Sequence, residues 1–173
     1  MLAALIFVVF PFCMVFAAVS DAVSMTIANR VSVVLVIAFA VVAPLTGMDL
    51  GSYGWHFAAA AMVLAVTFTM FAIGGMGGGD AKLMAATALW MGFNLNLLNY
   101  LVTSAFLGGV LTVAILSYRK SPLADMTGSN MFLRHFANPQ VGVPYAVALG
   151  LGGLIAYPDS PLVLWAIAHL ATR

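Results

Sequence analysis

Charged side chains are scarce in this chain. Of its 173 residues, 6% are charged and 64% are hydrophobic, whereas a soluble domain carries about a quarter charged residues. The composition therefore excludes an ordinary soluble domain and indicates an integral membrane protein. The net charge is +1, and no basic stripe exists that could neutralise the phosphates of a nucleic-acid backbone, so we expect no nucleic-acid binding.

Cysteine is almost absent, and glutamate is entirely absent. The single cysteine, Cys13, cannot form an internal disulfide, and no CxxC or Cys/His cluster predicts a zinc site. We therefore expect neither a metal nor a cofactor. We interpret Cys13 as a small apolar residue packed in a helix.

The first apolar run, from Leu2 to about Val19, has no Lys or Arg before it. A secretory signal peptide has a basic segment followed by a shorter apolar core. We therefore interpret the run as a retained transmembrane helix. The chain length predicts a single membrane-embedded domain over residues 1–173.

The apolar segments predict an all-α polytopic bundle of about six transmembrane helices, each about 17–25 residues long. The segments lie near 2–20, 29–46, 55–73, 82–99, 100–118 and 142–157. The fourth and fifth are separated by an expected turn that contains Asn94, Asn96 and Asn99. The apolar tail 161–172 is too short to cross comfortably. It is expected to be interfacial, re-entrant or the end of a tilted hairpin.

The basic residues predict the orientation of the bundle. They occur in alternate loops, at Arg30, Lys82, Arg119, Lys120 and Arg134. The intervening loops near 47–54, 93–100 and 158–160 contain no Lys or Arg. The positive-inside rule therefore predicts a periplasmic N-terminus and cytoplasmic basic loops. The rule does not place Arg173, and the polar loop 119–141 is expected to contact lipid headgroups.

All five acidic residues are aspartates, and the predicted topology divides them between the two membrane faces. Asp21, Asp80 and Asp125 belong to the cytoplasmic loops, and Asp49 and Asp159 to the opposite side. Asp21 follows the first predicted span and Asp80 precedes the fourth, so the two carboxyls can meet. Two close carboxyls share a proton, which leaves one as general base and the other as acid for amide hydrolysis.

Without the paired-acid hypothesis, the aspartates and histidines also have simpler, non-catalytic interpretations. Asp80 before Ala81 and Lys82 is a good helix N-cap, and Asp21 can be a charge beside the membrane without function. The histidines His56, His135 and His169 occupy different loops and form no recognisable set with Ser and Asp. We interpret His56, His169, Asp49 and Asp159 as solvated loop or interface residues, and His135 as part of the polar loop 119–141.

Three segments resemble motifs of one family, the type IV prepilin peptidases. GGGDAKL at 77–83 resembles the GxGD motif of membrane-embedded aspartic proteases, and of these peptidases in particular. SD at 20–21 followed by TIANR at 26–30 resembles the family's first aspartate segment. VPYAVA at 143–148 is similar to the segment that opens the last span. The three matches occur in the family's order along the chain.

The resemblance implies a peptidase that removes the basic leader of prepilins or pseudopilins at the cytoplasmic face of the bacterial inner membrane. It implies that Asp21 and Asp80 are the two catalytic aspartates. Six further residues are interpreted as motif or supporting residues: Gly77, Gly79, Lys82, Asn29, Pro144 and Tyr145. Lys82 is expected either to act on the acids or a substrate carboxylate or to anchor the membrane face. Asn29 either bonds near Asp21 or starts a helix.

The chain departs from the family pattern in four respects, one of which is that the stretch between Asp21 and Ile27 is less basic than is common. Ala28 stands where the family usually has Pro, and Ala146 where it usually has Gly. The cytoplasmic insertion with paired cysteines found in bifunctional members is missing. The chain therefore resembles the short CpaA/TadV-type peptidases of Flp pili and tight-adherence secretion systems, for which no pilin methyltransferase activity is expected.

Two other functions share some of these features. A small transporter or a non-catalytic secretion-system subunit would use the glycine segment as a broken helix, with Asp80 in an ion or substrate site. A presenilin-like intramembrane protease also has GxGD, but its first aspartate lies in a Tyr-Asp context within a span. Here Asp21 follows Ser20 and is expected at the end of the first span, which favours the prepilin peptidases.

Overall fold

The computed structural model describes residues 1–122, 138 and 142–172, and within these residues it is helical without strands. The helices are α1 (Leu2–Ser24), α2 (Asn29–Leu45), α3 (Leu50–Ala72), α4 (Gly78–Met91), α5 (Leu95–Arg119), α6 (Tyr145–Ala156), a 3-10 helix (Tyr157–Asp159) and α7 (Pro161–Ala171). This confirms the predicted all-α membrane bundle. The predicted loop residues Asp125, Arg134 and His135, and the terminal Arg173, lie outside the described residues.

Helix length limits how many of these elements cross a membrane alone. α1, α3 and α5 are long and apolar enough, and α6 with α7 forms a fourth candidate span that is bent by 44°. α2 is apolar but has 17 residues. α4 has 14 residues and extends about 21 Å, against about 30 Å of hydrocarbon. By this test the described helices provide three or four spans, fewer than the six predicted.

The break between α4 and α5 comes earlier than the sequence predicted. Gly92 has φ 78°, a left-handed conformation that favours glycine and ends α4. Asn94 is the N-cap of α5, and its side chain accepts a hydrogen bond of 2.8 Å from the Asn96 N–H. The turn expected among the three asparagines therefore centres on Asn94. Asn96 and Asn99 lie within α5.

The C-terminal tail continues the last helix as a bent pair. The 3-10 turn and Pro161 separate α6 from α7, and the Tyr157 hydroxyl donates a 2.6 Å hydrogen bond to the Ile6 carbonyl of α1. The Tyr157 ring stacks on Phe10 with centroids 4.0 Å apart. These contacts hold the bend against α1.

α4 is the most enclosed helix of the bundle. Every residue from Leu83 to Met91 is buried, so α4 shows no polar face to guide a prediction from hydrophobic periodicity. The Trp90 indole N–H donates to the Leu35 carbonyl of α2 at 3.0 Å. The polar first turn of α4, which carries Asp80, is thereby held at one end of the core.

Candidate active site

Asp21 lies inside α1, one turn before the helix ends. The first span was predicted to end at residue 20, whereas α1 continues to Ser24. The C-cap residue that follows, Met25, has φ 52°. The Asp21 side chain is buried, with 6% of its surface exposed. Its Oδ2 accepts a 2.9 Å hydrogen bond from the Ala146 N–H of α6.

The bond from Ala146 satisfies the start of another helix. The N-cap residue of α6 is Pro144, which provides no side-chain hydrogen bond, and the first N–H groups of a helix lack partners within it. Asp21 supplies an acceptor from α1 instead. One carboxylate therefore links the end of α1 to the beginning of α6.

Asp80 occupies the first turn of α4 without being its N-cap. The N-cap is Gly77, and α4 starts at Gly78. The Asp80 carboxylate accepts a hydrogen bond from the Gly77 backbone N–H, as the third residue of a capping box does. The interpretation of Asp80 as an N-cap is therefore wrong in position, although its side chain does stabilise the helix start.

A side chain is excluded at Gly77 and at Gly79 for two different steric reasons. A Cβ on Gly77 would lie 2.7 Å from Asp80 Oδ2, and one on Gly79 would lie 3.1 Å from the Cβ of Ile27. The first contact would displace the carboxyl, and the second would push away the segment between α1 and α2. Glycine at both positions allows Asp80 and the TIANR segment to approach the same turn.

Both aspartates line one cavity of about 520 Å³. Its wall includes Tyr145 from the start of α6 and the bare backbone of three glycines, Gly74, Gly75 and Gly77. The two carboxyls are close enough for the negative charge of Asp21 to raise the pKa of Asp80. The tertiary structure therefore brings together the two carboxyls that are 59 residues apart in sequence.

The environment of Asp80 favours its protonated form near neutral pH. Asp80 lies outside the helices that are long enough to span the membrane. Burial, together with the negative charge of Asp21, raises its pKa to about 7, against the opposing hydrogen bond from Gly77. Its Oδ1 is buried and has no hydrogen-bond partner among the described residues. The pair can thus hold one proton at neutral pH.

Tyr145 reaches the cavity because α5 makes room for its ring. A Cβ on Gly108 would overlap the Tyr145 ring, so the absence of a side chain at that point seats the tyrosine between α5 and α6. Nothing in the local sequence distinguishes Gly108 from the adjacent Gly109, which has open space around it. Sequence reasoning consequently missed Gly108. It also missed the Ala146 N–H.

Lys82 and Asn29 pair with each other rather than with the acids. The Lys82 Nζ donates a 3.0 Å hydrogen bond to Asn29 Oδ1. Neither residue lines the cavity of the aspartates. Asn29 is the first residue of α2, which matches its simpler interpretation as a helix start.

His56 is a buried residue, not the solvated residue that the sequence suggested. It is 5% exposed, and its Nδ1 forms a 2.7 Å hydrogen bond with the Leu89 carbonyl. Leu89 is within the last turn of α4, where carbonyls lack helical partners. His56 therefore caps the far end of the helix that carries Asp80. Asp49, the N-cap of α3, Asp159 and His169 are exposed as expected.

The fold and this cavity define a helical, multi-pass membrane protein with two carboxyls at one site. The family model of the type IV leader peptidase family matches residues 8–113, a range that contains both aspartates. The chain therefore belongs to the type IV leader peptidase family. No curated protein and no solved structure gave a significant match. Among the residues that the structure describes, no group of three or more His, Cys, Asp or Glu could hold a metal ion.

Proposed function

We propose that this protein is an aspartic endopeptidase that removes the N-terminal leader of type IV or Flp-type prepilins or pseudopilins. Asp21 and Asp80 are its catalytic residues. The observation that carries the proposal is the cavity that both side chains line, with Tyr145 beside them. Family membership supports the peptidase activity, and the paired carboxyls support the aspartic mechanism.

The two carboxyls divide the acid and base roles. We assign the base to Asp21, whose carboxylate is held by the Ala146 N–H, and the acid to Asp80, whose pKa is about 7. Asp21 takes a proton from a water molecule as the water oxygen attacks the scissile carbonyl carbon, and Asp80 gives its proton to the developing oxyanion. The proton on Asp21 then passes to the leaving nitrogen as the C–N bond breaks, and Asp80 recovers a proton from the tetrahedral hydroxyl as the new carboxyl group forms.

The glycine segment provides access for a peptide backbone. Gly74 has φ 77°, and the stretch from Gly74 to Gly77 presents only one side chain, Met76, to the cavity. An extended substrate can approach such a wall closely because no Cβ stands in its way. Met25 and Met70 supply the apolar part of the lining.

The charge of the cavity suits a basic leader. Among the residues that the structure describes, its lining includes two aspartates and no Lys or Arg, and a cavity of one sign attracts a substrate of the other. With the basic loops facing the cytoplasm, the active site faces the cytoplasm of a bacterial inner membrane. The substrate's apolar segment then remains in the bilayer. Partners in a pilus or tight-adherence secretion machinery follow from the same assignment.

Co-expression with a prepilin tests the proposal. Asp21→Asn and Asp80→Asn are each expected to abolish the mobility shift that marks leader removal, while the protein stays in the membrane fraction. Asp159→Asn is the matched control, because Asp159 is exposed and remote from the cavity. Leader removal at the normal rate by either active-site variant would refute the assignment.

A further inference from the structure

Two apolar grooves flank α2 on the outside of the bundle. The first lies between α2, α3 and α4, has a volume of about 530 Å³ and is lined mainly by Val33, Val36, Ile37, Phe57 and Leu64. The second lies between α1 and α2, has a volume of about 440 Å³ and is lined mainly by Val8, Phe12, Phe16, Val31 and Val34. Neither groove belongs to the cavity of the aspartates.

A basic side chain lies at the same end of each groove. Lys82 lines the first groove together with Asn29, and Arg30 lines the second. Asn29 and Arg30 are the first two residues of α2. Among the described residues, the Lys82 ammonium bonds to the neutral amide of Asn29, so its positive charge is not balanced by a carboxylate there. Both grooves thus combine an apolar body with a basic end.

The lining of the first groove limits what can fill it. Between Asn29 and Ile37, α2 rises about 12 Å along the groove. Lys82 and Asn29 lie at one end, and most of the remaining lining is apolar. A hydrocarbon chain that carries an anionic headgroup matches both parts of this lining.

We propose that the beginning of α2 binds one anionic phospholipid. Its phosphate lies between Arg30 and Lys82, near Asn29, and its two acyl chains occupy the two grooves on either side of α2. Basic pockets between membrane helices bind anionic headgroups in this manner. The site is independent of the proposed peptidase activity, because none of its residues lines the cavity of the aspartates.

Native mass spectrometry of the purified full-length protein tests this site, with added phosphatidylglycerol or phosphatidylcholine. We expect the wild type to bind one phosphatidylglycerol at least tenfold more tightly than phosphatidylcholine. Arg30→Gln combined with Lys82→Gln is expected to remove that preference. Lys120→Gln, which removes a cation at the end of α5 outside both grooves, is expected to retain it.

A second variant tests the groove without changing charge. Ala61 lines the first groove and is exposed, so Ala61→Phe fills the space for one acyl chain and should weaken phosphatidylglycerol binding at least threefold. Inorganic phosphate should not displace the lipid. Equal binding of both lipids, an equal loss in Lys120→Gln, displacement by phosphate, or unchanged binding in Ala61→Phe would each overturn the proposal.

Discussion

The Asp21 carboxylate accepts a hydrogen bond from the Ala146 N–H across a separation of 125 residues. This bond gives Asp21 two duties, because the same carboxyl lines the cavity that it shares with Asp80 and satisfies the start of α6. The duties depend on different properties. Capping needs an acceptor oxygen, whereas the proposed base must also be able to take up a proton.

Substitutions at Asp21 should therefore separate stability from activity. Asn retains an acceptor oxygen for the Ala146 N–H, so Asp21→Asn should unfold within a few degrees of the wild type while leader cleavage is lost. Ala retains neither property, and loss of a cap costs about 0.5–2 kcal/mol. Thermal unfolding in detergent, together with a cleavage assay, measures both effects. Equal stability of the Ala and wild-type proteins would contradict the capping role.

Gly77→Ala should impair catalysis through Asp80. The added Cβ would lie 2.7 Å from Asp80 Oδ2, so the carboxyl must move from its place above Gly77. We expect a loss of kcat of at least tenfold with the protein still folded. Gly78→Ala is the control in the same segment, because Gly78 does not line the cavity of the aspartates and its added Cβ would come no nearer than 3.2 Å, to the Phe71 ring. Similar activities of the two variants would count against the steric account.

Cleavage should depend on a proton held by the pair. Because the pKa of Asp80 is raised to about 7, the pair carries its shared proton below that pH and loses it above. The cleavage rate should therefore fall about tenfold per pH unit on the alkaline side. A pH profile of kcat/KM between pH 5 and 9 measures the decline, with a substrate whose own groups do not titrate there. A flat profile through pH 9 would exclude Asp80 as the acid.

The same pKa predicts how Asp80 affects folding. Its carboxyl is protonated in the folded protein up to about pH 7, whereas in the unfolded chain it ionises near the ordinary aspartate pKa of 3.8. The folded state therefore binds more protons between these two values, and stability falls as pH rises through this window. Asp80→Asn should reduce this dependence in thermal unfolding. An unchanged slope in the variant would contradict the raised pKa.

Substitutions at Gly108 and at its neighbour Gly109 test how the Tyr145 ring packs against α5. A Cβ on Gly108 would overlap the Tyr145 ring, while a Cβ on Gly109 would meet nothing within 4 Å. Gly108→Ala should therefore destabilise the protein by about 1–3 kcal/mol through overpacking and lower activity by moving Tyr145. Gly109→Ala should be neutral or slightly stabilising, since Ala favours helix over Gly. Thermal unfolding and cleavage assays distinguish them, and identical behaviour would refute this packing.

The sequence by itself determined the class of the protein. Apolar composition and the length of apolar runs are local properties, and they predict a helical membrane bundle without reference to any contact. The motif GGGD similarly marks Asp80, since the glycines and the acid are adjacent in the chain. The end of α1 and the break before α5 were misplaced, because they depend on local turns at Met25 and Gly92.

Only the tertiary structure decided what each side chain contacts. Asp21 meets Ala146, His56 meets Leu89, and Lys82 meets Asn29, and each pair joins different helices. Such contacts depend on how the helices pack, since a membrane helix has no strong hydrophobic periodicity that tells one face from another. For that reason the sequence predicted the two acids, while the structure showed the cavity that they share and the helix start that one of them completes.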